Sequence, residues 1–235
     1  MFLSVLLQIT ETTTAVANTV AQAAAAPKQD SLSLLDLILK GGYIMIPIGV
    51  LSLISIYVLI ERWITIKKAN KVDKNFMNTI KDFIHNGNIE AAKALCKNTS
   101  TPVAAVVGKG LARLGKPSKE IESAMESVGK VELSKLEKNM SILGIIAGIA
   151  PMFGFIGTIS GVIKIFYNIS LADNISIGLI SGGLYEKMIT SAAGLVVGVF
   201  AFVSYHLLNV GVDKAVTKIE TSAIEFSDII NEPGA

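Results

Sequence analysis

"GGLYEKMITSAAGLVVG", residues 182–198, lies inside an apolar run that begins near Ile175 and continues to about Val210. That run is long enough to cross a bilayer, whose hydrocarbon core takes about 20 apolar residues of helix. Yet Glu186 and Lys187 stand side by side within it. An ionised residue at the centre of a membrane helix costs roughly 2.5–3.5 kcal/mol on insertion scales, and more in simulations. Glu186 lies about ten residues in from the outer boundary, roughly 15 Å at helical rise and so near mid-membrane. Carboxylates at that depth face a bundle interior or a watery cavity and mark ion or proton pathways. The bland alternative is a static ion pair with Lys187 or Lys164. Neighbours on a helix point about 100° apart, which disfavours Lys187 as a close partner.

The rest of the chain is of the same kind. Hydrophobic residues make up 51% and charged residues 17%, and the mean hydropathy of +0.57 is too high for an ordinary soluble domain. Two further segments are long enough to span: Tyr43–Ile60, "YIMIPIGVLSLISIYVLI", and Met140–Phe166, "MSILGIIAGIAPMFGFIGTISGVIKIF". The expected fold is an all-α membrane protein with three transmembrane helices, spans two and three extending into a helical cytoplasmic domain. A net charge of +2 gives no reason to expect nucleic acid, and one cysteine with two histidines, His85 and His206, assembles no metal cluster. The sequence holds no Walker A loop, GxSxG or HExxH, and no nucleophile with a base in reach of Glu186. It therefore reads as no enzyme, with neither cofactor nor metal.

Topology follows from the basic residues. Fourteen of the 21 lie between Lys67 and Asn139, and none lies between Tyr167 and Ser176. The positive-inside rule makes the long loop cytoplasmic. The expected order is an external segment at 1–42, span one at 43–66, a cytoplasmic helical domain at 67–139 and span two at 140–166. A short periplasmic loop at 167–176, span three at 177–210 and a cytoplasmic helical tail at 211–235 complete it. The first 26 residues resemble a signal peptide in part, but no positive charge precedes Lys28 and "TETTTA" interrupts the apolar core. The favoured reading is an external tail leading to an amphipathic helix, "SLSLLDLILKGG", on the bilayer surface, closed by Gly41 and Gly42.

The cytoplasmic segments carry helical periodicity. Val72, Phe76, Ile80, Phe83 and Ile84 share one face, Gly87 stops that helix, and Asn88 caps the next. A pattern from Ser118, taken as an N-cap, runs without a breaker into span two. In the tail, Val212, Val216, Ile219, Ala223, Phe226 and Ile230 fall near one stripe. Cys96 reads as a reduced packing residue.

Spans two and three also carry three GxxxG pairs, Gly144–Gly148, Gly157–Gly161 and Gly194–Gly198. Such pairs let helices approach closely in lipid, within one subunit or between copies. Thr158, Ser160, Thr190 and Ser191 add hydroxyls, each of which can instead bond back to its own helix.

These segments resemble the MotA/TolQ/ExbB proton-channel family. "IAPMFGFIGTISGVIKIF" is similar to its second-span motif, and "GGLYEKMITSAAGL" to its third, where a Glu precedes a Thr by five residues. "AAKALCKNTSTPVAAVVGKGL" resembles its cytoplasmic domain and "IERWITIKK" the end of its first span. The resemblance covers about residues 35–210, and three spans suit the ExbB and TolQ branches. It implies a proton pathway through Glu186, Thr158 and Ser191, where Ser191 stands for the family's Thr and keeps the hydroxyl; the neighbouring hydroxyl of Thr190 is taken as part of the same path. Lys187 departs from the small or apolar residue expected there. The resemblance also implies a ring of five copies in the inner membrane around an ExbD-like single-span partner with an intramembrane Asp, energising a TonB-like protein for outer-membrane uptake. The alternatives are a TolQ-like role with TolR and TolA, or a scaffold that conducts nothing.

Overall fold

A computed structural model describes residues 42–231 apart from 72, 74 and 172–176, and the side chains at 177, 179 and 186 lie outside it. The expectations for a signal peptide, the surface helix and Val72 fall on residues outside the description. The described residues form seven helices in order: α1 (Met45–Ala69), α2 (Phe76–His85), α3 (Ile89–Asn98), α4 (Pro102–Leu111), α5 (Ser118–Glu137), α6 (Met140–Leu171) and α7 (Ile177–Asn231). Among the described residues there is no strand.

Among the described residues, three helical stretches are long and apolar enough to cross a membrane: α1, the stretch that ends in α6, and α7. α1 carries exposed Tyr43 just before its first turn and exposed Trp63 near its end. The two are 20 residues apart, or about 30 Å of helix, matching the spacing of aromatic belts at the two bilayer interfaces. α6 and α7 are antiparallel neighbours. α7 has 55 residues, about 80 Å of helix, so it extends far past any 30 Å hydrocarbon layer.

That extension forms one wall of a polar-end subdomain built with α2–α5. Its core holds Phe76, Ile80, Ile84, Val103, Val107, Leu111 and Met125, closed by Phe226 of α7. Capping explains the short helices. Asn88 Oδ1 accepts from the Ala91 N–H at 3.3 Å, and Thr101 Oγ1 accepts from Ala104 N–H at 3.3 Å ahead of Pro102. Gly87, at φ +70°, ends α2 in the left-handed conformation that glycine adopts without strain. In the tail, the fully buried positions centre on Val212, Ala215, Ile219, Phe226 and Ile229, with Val216, Ala223 and Ile230 at the edge of the stripe.

Two expectations need correction. Pro117, not Ser118, occupies the N-cap of α5, and the Ser118 hydroxyl instead donates to Asn231 Oδ1 at 2.9 Å, tying the start of α5 to the end of α7. The helix from Ser118 also does not run unbroken into span two. It breaks at Lys138 and Asn139, where Asn139 takes φ 63°. Asn is the residue that tolerates this conformation best after Gly. The break leaves carbonyls at the end of α5 without helical partners. Buried Arg62 of α1 donates through Nη1 to one of them, Lys135 O, at 3.1 Å, and its Nη2 pairs with Glu61. A cation at a helix C-terminus is electrostatically favourable.

α1 is fastened to α7 as well. Asn70 Nδ2 donates to Ile66 O at 3.1 Å and to Gly211 O at 2.9 Å, while Lys218 Nζ donates to Asn70 O at 2.6 Å.

Cys96 lies in the subdomain core at 7% exposure. Burial pushes its thiol up to about 11, against about 8.5 for a free thiol. The thiolate is then at least about a hundredfold scarcer than normal below pH 8. We expect maleimide to react with Cys96 in the folded protein more than about a hundredfold slower than with glutathione, the rate climbing with pH until about 11. A stopped-time labelling series across pH 7–10 checks this, and a rate equal to the free thiol would contradict it.

Candidate membrane seam

Along the contact between α6 and α7, small residues of α6 recur at Ala150, Gly154, Gly157 and Gly161. On α7, the facing positions are Gly198, Gly194, Thr190 with Ser191, and Lys187. A Cβ at Gly194 would sit 2.6 Å from Ala150 O and 3.0 Å from Gly154 Cα. One at Gly154 would sit 3.0 Å from Ser191 O, and one at Gly157 3.0 Å from Thr190 Cγ2. The backbones therefore meet with almost nothing between them, as small residues allow in lipid.

Pro151 has a place in this arrangement. A helical proline cannot donate to the carbonyl four residues back, here Ala147 O. That oxygen lies 3.2 Å from where a Gly198 Cβ would be, and Pro151 Cγ lies 2.5 Å away. A glycine on α7 lets its backbone come up to the freed carbonyl, which fits the Pro in a membrane helix.

Thr190 is wholly buried on this seam. Ser191 contributes its backbone to the close approach at Gly154. Thr158 lies one residue off the contact stripe, partly exposed, and its hydroxyl donates to Phe155 O of its own helix at 2.7 Å. Ser160 is 3.5 Å from the Tyr43 hydroxyl.

Lys187 is on the stripe. Its aliphatic stem lies across Gly161, filling the space a Cβ would need. Burying the stem against a residue without a side chain is how a long cationic residue fits in an apolar helix pair. Position 186 is about 100° around α7 from that stripe, and one turn before Thr190. The Glu186 side chain lies outside the described residues.

The glycine pairs divide. Gly157, Gly161, Gly194 and Gly198 contact the opposite helix, whereas Gly148 has nothing within 4 Å and Gly144 only Tyr205, at 4.0 Å. Gly154 and Ala150 complete the α6 face, and a search for GxxxG alone passes over them. The signal that finds them is the 4–3–4 spacing of small residues from Ala150 to Gly161.

A sequence profile of the MotA/TolQ/ExbB proton channel family matches residues 98–221, more than half of the 235-residue chain. The chain belongs to that family. The seam just described lies inside the matched region. Among similar proteins, the biopolymer transport protein ExbB-like 1 of Synechocystis sp. is 27% identical over 183 residues, covering 74% of this chain and 70% of that protein. An ExbB homolog of Methanothermobacter thermautotrophicus is 25% identical over 189 residues, covering 80% and 67%. The ExbB of Neisseria gonorrhoeae is 31% identical over 93 residues, 40% of each chain. Family and apolar helices together make this a multi-pass membrane protein of a proton-channel family, which is not a family of enzymes. Among the described residues, no three His, Cys, Asp or Glu side chains come together as metal ligands.

Proposed function

We propose that this chain is the proton-channel subunit of an inner-membrane motor of the ExbB kind. Five copies surround the membrane helix of an ExbD-like partner, whose intramembrane Asp takes up and releases the proton. The motor transmits proton motive force to a TonB-like protein for outer-membrane transport. Glu186, Thr158, Thr190 and Ser191 supply the polar groups of the path. The carrying observation is the seam itself, where Gly154 and Gly157 of the α6 motif meet Ser191 and Thr190 of the α7 motif inside apolar helices. The names of the similar proteins support the ExbB branch over TolQ.

Purification of the tagged chain from its own membranes tests this reading. The expected result is a stable complex holding a second protein with one apolar span and an Asp within it, and native mass spectrometry should count five copies of this chain. A stable monomer, or a ring without such a partner, would contradict it.

The proposed orientation places the N-terminus in the periplasm and the C-terminus in the cytoplasm. It rests on the fourteen basic residues between Lys67 and Asn139. In a Cys96→Ala background, Asn174→Cys should react with an impermeant thiol reagent from outside and Asn88→Cys only after lysis. The reverse pattern would invert the topology.

A further inference from the structure

We propose that copies of this chain join head to tail through the polar-end subdomain, an acid-rimmed groove of one copy receiving a basic cleft of the next. The inference rests on the ring proposed above and names the surfaces that close it.

α5 carries two different faces. Toward α7 lies a groove of about 730 Å³ with an apolar floor that includes Met125, Gly129 and Ile219, and with exposed Ile224 at its edge. Its rim has four carboxylates, Glu122, Glu126, Glu220 and Asp228, against one cation, Lys130, a net charge of −3 (4 minus 1). Lys130 is already paired with Glu126 at 2.7 Å, which holds that carboxyl below its ordinary range. Toward α4 lies a cleft of about 580 Å³, where Lys109, Arg113 and Lys119 face one acid, Glu120, a net charge of +2 (3 minus 1).

The two faces share a register. On α5 the groove uses 122, 125, 126, 129, 130 and 133, and the cleft uses 120, 123, 124, 127, 128 and 131, with Lys119 one residue ahead of them. The patterns are the same helical spacing offset by two residues, about 200° around the axis. They therefore occupy opposite sides of the same turns. Rotation about a membrane-normal axis keeps every residue at its height, so one face of α5 meets the other on the next copy. A contact between two different patches repeats around a ring, whereas a two-fold contact stops at a dimer.

Apolar exposure marks the same two surfaces. Beyond the span regions, the large apolar side chains left exposed among the described residues are Val131, at 55%, and Ile224, at 64%. Val131 lines the cleft and Ile224 lines the groove. Opposite charges around them fix register and exclude the like-to-like pairing that would form a dimer.

The test uses the full-length chain in its membrane with Cys96→Ala. Ser127→Cys in the cleft combined with Ile224→Cys in the groove, which lie near the same height because Glu122 pairs with Ser227 and Gly129 faces Ile219, should, on mild oxidation, give a ladder of disulfide-linked dimers, trimers and higher species. Neither substitution alone should link. Separately, Arg113→Glu with Lys119→Glu should lower the yield of linked species at least tenfold, and adding Glu220→Lys with Asp228→Lys should restore it. Dimers from either single cysteine would show a two-fold contact and overturn the inference. So would an intact five-copy ring by native mass spectrometry with no ladder, which leaves the proposed function standing and frees the groove for another occupant. Absence of any ring would overturn both.

Discussion

Glu186→Gln should leave the complex assembled and abolish proton-driven work. Glutamine keeps nearly the shape of the side chain and its hydrogen-bonding capacity but neither binds nor releases a proton. A positioned proton-transfer group contributes typically about 10²–10⁴ in rate, so uptake coupled to the proton gradient should fall at least about a hundredfold. The measurement is gradient-dependent uptake or growth, alongside native mass spectrometry of the same preparation. Thr190→Val makes a useful companion, because Thr190 is wholly buried and valine fills the same volume. It separates the loss of a hydroxyl from the loss of packing. If Glu186→Gln assembles and works at the unaltered rate, position 186 neither titrates nor supplies a needed charge. The scaffold reading then moves ahead.

Local sequence carried much of the architecture. The three spans followed from apolar length, the end of α2 from Gly87, and the start of α3 from Asn88, because each is decided within a turn or two of helix. The break between α5 and α6 was hidden. No Gly or Pro marks it, and Arg62, which serves the loose carbonyl of Lys135, is 73 residues away in sequence. A long-range contact of that kind leaves no local trace. The seam was half legible for a related reason. GxxxG reports one helix's own spacing, while the contact stripe depends on which face of α6 meets α7. That face includes Gly154 and Ala150, yet Gly148 has no neighbour within 4 Å in the subunit. Lys187 was recognised as an anomaly, but its seat on Gly161 depends on the register between two helices.

Gly194→Leu is expected to destabilise the subunit itself, and Gly148→Leu to spare the subunit and weaken the ring. At Gly194 even a methyl would press on the Ala150 carbonyl oxygen at 2.6 Å and on Gly154, all backbone atoms that cannot swing aside. A leucine must part α6 from α7. Overpacking of this sort costs typically about 1–3 kcal/mol, and more where the contact is backbone on backbone. In detergent, the solubilised protein should unfold at a clearly lower temperature, read as loss of the monodisperse chromatographic peak after heating. Gly182, with nothing within 4 Å on the same helix, is the control, and Gly182→Ala should change little. Gly148 is exposed and open at its Cβ position, so a leucine there points away from the subunit's own backbone. A glycine face left free on a membrane helix is suited to close approach by a neighbouring copy. Gly148→Leu should therefore leave the unfolding temperature of the separated subunit unchanged while lowering the five-copy fraction. Equal melting of Gly194→Leu and Gly182→Ala would contradict the close approach of α6 and α7, and an unaltered ring in Gly148→Leu would remove this face from the contacts between copies.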